Sequence, residues 1–254
     1  MVLDLFKLDG KVALVTGAGQ GLGQGMAIAL AEAGADIASL DRTGCEGTCE
    51  AVRALGRRYR ESVVDLREAS VDDLHQVVAN IVQGLGRIDI LVNNAGTIRR
   101  TPAVDFSETD WDDVLQINLK AAFFLSQAVG HVMMQQDGGK IINVASMLSF
   151  QGGITVPSYT AAKSALAGVT RALANEWAGQ DINVNAIAPG YMATDNTAAL
   201  RADPVRSASI LERIPAGRWG TPDDLKGVVV FLASSASDYM HGAIVPVDGG
   251  WLAR

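Results

Sequence analysis

Short runs of β-branched residues alternate with helix-length stretches from one end of the chain to the other, and that alternation leaves few folds open. Strands are expected near Val12 to Thr16, Asp36 to Leu40, Tyr59 to Val64, Ile88 to Val92, Lys140 to Val144, Asn183 to Ala188 and Ala243 to Val247. Strands joined through helices run parallel, and a strand apolar at successive positions needs cover on both faces. The expected architecture is therefore α/β: a doubly wound, seven-stranded parallel sheet with helices on both faces, one domain over residues 1–254. A chain of 254 residues with 48% hydrophobic content can bury such a core. Gly34, Gly56, Gly138 and Gly179 are placed to end helices in left-handed caps. The stretch from Ala193 to Thr221 departs from the rhythm, being rich in Ala, Arg and Pro. At the carboxyl edge of a sheet it is a candidate substrate lid, and it also reads as a pair of small surface helices; the two are compatible.

Charge narrows the partners. With 21 Lys and Arg against 28 Asp and Glu, the net charge of −7 disfavours nucleic acid and anionic membrane surfaces, so a small metabolite is the expected partner. The opening residues have acidic side chains where a secretory signal is basic, and apolar runs such as Gly227 to Ala233 are too short to cross a bilayer. A cytoplasmic protein is expected. Cys45 and Cys49 are the only cysteines; four apart, they share a helix face, but His75, His131 and His241 lie far off in sequence. Two unreactive thiols and no metal site are expected.

The first strand runs into Thr16-Gly-Ala-Gly-Gln-Gly-Leu-Gly23, after which Met26 to Ala33 reads as a helix. Glycines there allow a tight turn and let backbone N–H groups approach a pyrophosphate, which the positive end of the helix dipole favours. The spacing, Gly17-x-x-x-Gly21-x-Gly23, is neither the common G-x-G-x-x-G nor an ATP-binding P-loop. Asp41 ends the second strand 18 residues after Gly23, where a carboxylate can accept the adenosine ribose hydroxyls and repel a 2′-phosphate. NAD is thus favoured over NADP, with Arg42 as the complication and an ordinary turn acid as the alternative for Asp41.

Ser158-Tyr-Thr-Ala-Ala-Lys163 opens a helix, with Ser158 the expected amino cap and Tyr159 and Lys163 stacked one turn apart. A tyrosine serves as acid or base only if its pKa, about 10 in a peptide, comes down, and a nearby ammonium favours the phenolate. Tyr-x-x-x-Lys also arises by chance on amphipathic helices. Ser146 alters the weighing, because it ends the fifth strand at the carboxyl edge, where ligands bind in such sheets.

Together Gly17-x-x-x-Gly21-x-Gly23, Asn93-Asn-Ala-Gly96, Ser146, Tyr159-x-x-x-Lys163 and Pro189-Gly190 stand in an order that resembles the short-chain dehydrogenases/reductases over essentially the whole chain. The resemblance implies a Rossmann-like fold, a catalytic set of Asn118, Ser146, Tyr159 and Lys163, and hydride transfer between a nicotinamide and a carbonyl carbon. Asn118, in Leu115-Gln-Ile-Asn118, would hold a water in a proton relay, although a helix-interior Asn bonded to backbone fits the sequence equally. It also implies cofactor contacts from Gly17, Gln20, Gly21, Leu22, Gly23, Asp41, Asp65, Leu66, Asn93, Ala95, Gly96, Tyr159, Lys163, Pro189, Gly190, Met192 and Thr194. Among these, Asp65 would contact adenine, Lys163 the nicotinamide ribose and Thr194 the carboxamide, while Asn93 and its neighbours stabilise the sheet beside the cofactor.

For the substrate, Arg99 and Arg100 follow Asn93-Asn-Ala-Gly96 on a loop at the carboxyl edge and suggest a carboxylate; salt bridging to Asp105 or Glu108 is the alternative. Longer stretches, among them Asn94 to Arg100, Ser146 to Gly153 and Pro189 to Thr197, resemble one bacterial subgroup, the 2-dehydro-3-deoxy-D-gluconate 5-dehydrogenases. That resemblance implies a six-carbon keto sugar acid, NAD and a homotetramer, with Arg99, Arg100, Ser146, Met147, Gln151, Tyr159 and Tyr191 as the candidate substrate contacts. Apolar Ala121 to Val129 and the tail Gly249 to Arg254 suggest subunit contacts, unless that helix is simply buried in its own domain. A gluconate 5-dehydrogenase or a 3-oxoacyl thioester reductase is the nearest alternative, and a dinucleotide-binding regulator without turnover the remote one.

Overall fold

In the computed structural model, which describes residues 1–254, every residue of the first strand, β1 (Val12–Thr16), is buried. Val12 and Leu14 enter one core and Ala13 and Val15 the other, as the two-residue period of a strand requires. The two cores contain 23 buried residues each, so the sheet is covered on both faces, which explains why a central strand such as β1 is apolar at successive positions whereas the edge strand Tyr59–Val63, Tyr-Arg-Glu-Ser-Val, is not.

The sheet has seven parallel strands in the order β3-β2-β1-β4-β5-β6-β7. The others are β2 (Asp36–Asp41), β3 (Tyr59–Val63), β4 (Ile90–Asn93), β5 (Gly139–Val144), β6 (Ile182–Pro189) and β7 (Ile244–Val247). Each expected strand is present, β1 with the expected bounds and the others with one or both ends moved by one or two residues. α1 (Gly21–Glu32), α2 (Glu46–Ala54) and α9 (Lys226–Ala233) cover one face; α3 (Val71–Leu85), α5 (Ala121–Met134) and α6 (Pro157–Trp177) cover the other. β1 pairs with β2 on one side and β4 on the other, so the chain reverses its direction of travel there and a cleft opens at the carboxyl ends of those strands.

Three local expectations are corrected. Gly179 does not cap a helix: it sits within a 3-10 turn after α6, and Asp181, at φ 56°, takes the left-handed position, an Asp being among the few side chains that tolerate it. Gly34, Gly56 and Gly138 do have positive φ, and so does Gly86, which caps α3. Ser158 is not the amino cap of α6: Pro157 occupies the first helical position, where its missing N–H costs nothing, and Val156 precedes it. α1 starts at Gly21 rather than Met26, so the glycine turn itself supplies the helix amino terminus.

After β6 the chain makes an excursion closed at its neck by a Met192–Gly220 bridge, with Ala193 N donating to Gly220 O (2.7 Å) and Gly220 N to Tyr191 O (3.0 Å). It carries α7 (Ala198–Ala202) and α8 (Pro204–Arg213), the latter capped by Asp203. α4 (Glu108–Leu115) runs through a π turn, Gln116–Lys120, into α5. No helix is long and apolar enough to cross a membrane. Of the surfaces expected to meet another subunit, Ala121, Ala122, Leu125, Ala128 and Val129 are buried in this chain's own core. Trp251 is likewise buried, under Arg213 and against Tyr191.

Candidate active site

At the carboxyl edge lies a cavity of about 710 Å³, walled by the glycine turn, the ends of β2, β4, β5 and β6, and the start of α6. Gly17 and Gly21 have φ of 65° and 57°. A Cβ at Gly23 would stand 2.0 Å from Gly17 O and 2.4 Å from Asn94 Nδ2, so the turn folds onto the helix start only as glycine. Asn94 Nδ2 donates to Thr16 O (2.9 Å) and Gly17 O (3.1 Å), and Thr16 Oγ1 accepts from Asn94 N and Ala95 N. Asn94 and Thr16 thus pin the turn, a role the motifs that contain them did not assign to either.

At one end of the cavity Asp41 Oδ2 accepts from Gly19 N (2.9 Å) and Oδ1 from Arg42 N (2.8 Å). The carboxylate is therefore held by the turn, facing the space beside it. Asp65 is bound by Arg67 through a backbone bond of 3.0 Å and a guanidinium bond of 2.7 Å, which hold its carboxyl below the usual range. A rigid glycine cradle, a helix amino terminus and two placed carboxylates fit a dinucleotide: pyrophosphate on the turn, adenosine ribose at Asp41, adenine beside Asp65 and Leu66.

At the other end stand Ser146, Tyr159 and Lys163, with Asn118 behind them, all on the cavity wall. Lys163 is 3% exposed and donates to Val144 O (2.6 Å); its Nζ lies 5.6 Å from the centroid of the Tyr159 ring. Burial lowers Lys163 to about 8. Burial raises the half-buried Tyr159 phenol, against the smaller downward pull of the Ser146 hydroxyl and the Arg100 charge. Among the chain's own groups desolvation outweighs the Ser146 and Arg100 pulls. Asn118 Nδ2 donates to Thr97 O and Val114 O (both 2.9 Å), while its Oδ1 is buried without a donor. Asn118 thus makes the backbone bonds that a helix-interior Asn is expected to make, and its carbonyl oxygen is left without a donor.

The cavity wall also includes Gly17, Gln20, Gly21, Leu22, Gly23, Leu66, Ala95, Gly96, Pro189, Gly190, Met192 and Thr194. Asn93 does not reach it. Its side chain is 3% exposed and donates to Ala122 O, Ser126 Oγ and Asn143 Oδ1, a buried knot joining β4, β5 and α5.

The substrate candidates divide. Arg99 is on the wall but bound by Asp110 (3.0 Å), Asp113 (3.2 Å) and Thr97 Oγ1 (3.3 Å), not by Asp105 or Glu108. Arg100 is not itself on the wall: it is exposed, and its one partner is a neutral carbonyl, Asn196 O (3.0 Å), on a segment that lines the cavity. Met147, Gln151 and Tyr191 are not on the wall. Met147 is buried with Ile210, Ile214 and Trp251; Tyr191 is packed edge-on against Trp219 and Trp251; Gln151 accepts from Arg213 Nη2 (3.4 Å). All three thus belong to the packing between the excursion and the carboxyl tail. Cys45 is buried and Cys49 half-buried, both as free thiols.

A family model described as Enoyl-(Acyl carrier protein) reductase matches residues 17–252. The chain is 61% identical over its full length to a full-length Escherichia coli (strain K12) protein named 2-dehydro-3-deoxy-D-gluconate 5-dehydrogenase. It is 53% identical to a Bacillus subtilis protein of the same name, covering 99% of this chain and 98% of that one. Among solved structures, a putative 2-deoxy-D-gluconate 3-dehydrogenase from Agrobacterium tumefaciens with bound NADP superposes with a TM-score of 0.92 at 52% identity, covering 99% of this chain and 100% of that one.

Proposed function

Because this chain belongs to the short-chain dehydrogenase/reductase family, an NAD(P)-dependent oxidoreductase acting on CH–OH, we propose that it interconverts an alcohol and a ketone on 2-dehydro-3-deoxy-D-gluconate, a six-carbon deoxy keto sugar acid, with NAD preferred. One observation carries the chemistry. Asn118, Ser146, Tyr159 and Lys163 converge on the same cavity that has the glycine cradle and Asp41 at its far end. The substrate takes its support from the full-length relatives of that name and from Arg100, a guanidinium without a carboxylate partner that is bonded to Asn196 of the cavity wall. The matched family model's description names another activity, enoyl thioester reduction; it describes a broad family, whereas the sugar-acid names belong to proteins more than half identical to this one.

In the oxidative direction a bound nicotinamide supplies the hydride acceptor and a positive charge. Tyr159, as phenolate, takes the hydroxyl proton while Ser146 hydrogen-bonds the reacting oxygen. Lys163 favours the phenolate and holds a ribose hydroxyl, and the free Asn118 oxygen orients a water that returns the proton to solvent. Arg100 binds the carboxylate, and the excursion at 193–221 closes over the substrate. Asp41 disfavours a 2′-phosphate, which supports NAD; the NADP-bound Agrobacterium structure makes this the point to test. The same reading puts the enzyme in the cytoplasm as a homotetramer, supported by family resemblance and by half-buried Ile244, Val245 and Val247 on edge strand β7.

Nicotinamide absorbance with 2-dehydro-3-deoxy-D-gluconate against D-gluconate, each with NAD and NADP, decides the proposal. NAD reduction with the deoxy keto acid and not with gluconate is expected. Turnover of gluconate alone would discard the substrate and keep the reaction class.

A further inference from the structure

α4 and the π turn that continues it lie between two loops that line opposite ends of the cavity. On the substrate side, Arg99 reaches Asp110 and Asp113 of α4, and Asn118 donates to Thr97 O. On the adenosine side, Gln116 Nε2 donates to Leu66 O (3.2 Å) and Ala69 O (3.3 Å). An amide nitrogen has two N–H groups, and both are spent on this one loop. Residues two apart on a helix point to opposite sides, so Gln116 and Asn118 reach opposite loops from a single turn.

The loop receiving these bonds is tied to β2 at its start, where Val64 N donates to Asp41 O (2.8 Å), and Leu66 is buried in the core, but beyond Val64 its other backbone bonds are internal. Asp65 O accepts from Glu68 N and Ala69 N, both at 3.1 Å, which closes the turn on itself without attaching it to the helices. Asp65 and Arg67 are bonded to each other within the same loop. Val64, Asp65, Leu66 and Arg67 nevertheless form cavity wall, and a binding surface works only if it is fixed before the ligand arrives.

We propose that Gln116 is a positioning residue for the adenine end of the cofactor site: it clamps the loop after β3 so that Asp65 and Leu66 stand ready for adenosine. The inference rests on reading the cavity as a dinucleotide site. It makes the Gln116–Lys120 turn a brace that positions the catalytic Asn118 and the adenine loop together.

The test uses the full-length protein and binding rather than turnover, with NADH fluorescence read against competing AMP and nicotinamide mononucleotide. Gln116→Leu removes both donors at nearly constant volume. AMP and NADH are expected to bind about tenfold weaker, and nicotinamide mononucleotide within about twofold of the parent. Gln136→Leu is the control, because Gln136 makes a similar pair of bonds to Ile88 (3.0 and 3.4 Å) away from the cavity. It should lower the melting temperature and leave AMP binding alone. The proposal is overturned if Gln116→Leu lowers only the melting temperature, as the control does, or if it weakens both half-cofactors equally. Should Gln116→Leu not fold, Gln116→Asn, one methylene short of the carbonyls, carries the same comparison. AMP that fails to displace NADH from the parent would overturn the dinucleotide reading and this inference with it.

Discussion

Replacing Arg100 and Arg99 separately by Met distinguishes two adjacent guanidiniums that the sequence presents as equals. Arg99 already faces two carboxylates, at 3.0 and 3.2 Å, so most of its charge is balanced before a ligand arrives. Arg100 gives up only the Asn196 carbonyl. A bidentate contact with a carboxylate is two charge-assisted bonds, together about 3 kcal/mol at the lower end of their range, which suits an exposed side chain. Surrendering a neutral bond costs about 1 kcal/mol, leaving about 2 kcal/mol, or roughly thirtyfold in kcat/KM. Arg100→Met should therefore lower kcat/KM for the sugar acid about thirtyfold, mainly through KM, and leave the NADH dissociation constant unchanged. It should also move the pH profile for oxidation upward, because the Arg100 charge is one of the groups pulling the Tyr159 phenol down. Arg99→Met, which breaks part-exposed pairs worth at most about 1 kcal/mol each, should cost stability more than KM. Steady-state rates at fixed saturating NAD, with the methyl ester of the substrate as a neutral control, give the answer. An Arg99 variant as impaired in KM as the Arg100 variant, or an ester equally affected by losing Arg100, would refute the assignment.

The catalytic and cofactor groups give further tests. Tyr159→Phe should reduce turnover at least a hundredfold while NADH still binds within about threefold, since only the proton carrier is lost; near-normal rates would remove Tyr159 from the chemistry. Lys163, held near 8 by burial against an unfolded value of 10.5, binds fewer protons folded than unfolded between those pH values, so its contribution to stability rises with pH from about 8 to 10.5. Lys163→Met should therefore have its largest stability advantage over the parent, on the order of 3 kcal/mol less the lost Val144 bond, below pH 8 and lose it toward pH 10.5; a difference flat across denaturation curves at those pH values contradicts the shift. Asp41→Ala should lower the NAD-to-NADP preference in kcat/KM by about tenfold or more, and an unchanged ratio would show that the carboxylate does not select the cofactor. Gly23→Ala puts a Cβ 2.0 Å from Gly17 O, so NADH binding should be lost by calorimetry, and retained affinity would mean that the turn is not the pyrophosphate cradle.

The sheet was legible in the sequence because its signal is local: β-branched runs apolar on both faces, separated by helix-length stretches, admit a covered parallel sheet and little else. The glycine turn was equally plain, because a positive φ at Gly17 and Gly21 is a requirement of single residues. Period alone put Tyr159 and Lys163 on one helix face and Ser146 at a strand end; that the three share one cavity wall is a property of the packed fold. What local pattern could not supply was the choice among partners brought together by folding. Arg99 and Arg100 differ only because α4 places Asp110 and Asp113 beside the first, while the excursion after β6 places a carbonyl beside the second. Ser158 was displaced as a cap by its own neighbour, Pro157, and Gly179 by Asp181, where several residues could satisfy the same backbone need. Asn93 faces a buried knot instead of the cavity, and Gln116 gave no signal at all, since its bonds go to carbonyls nearly fifty residues earlier. Periodicity and backbone conformation belong to each segment and are written in it; hydrogen-bond partners and the balance of burial against charge belong to pairs of segments, and only the packed tertiary structure decides them.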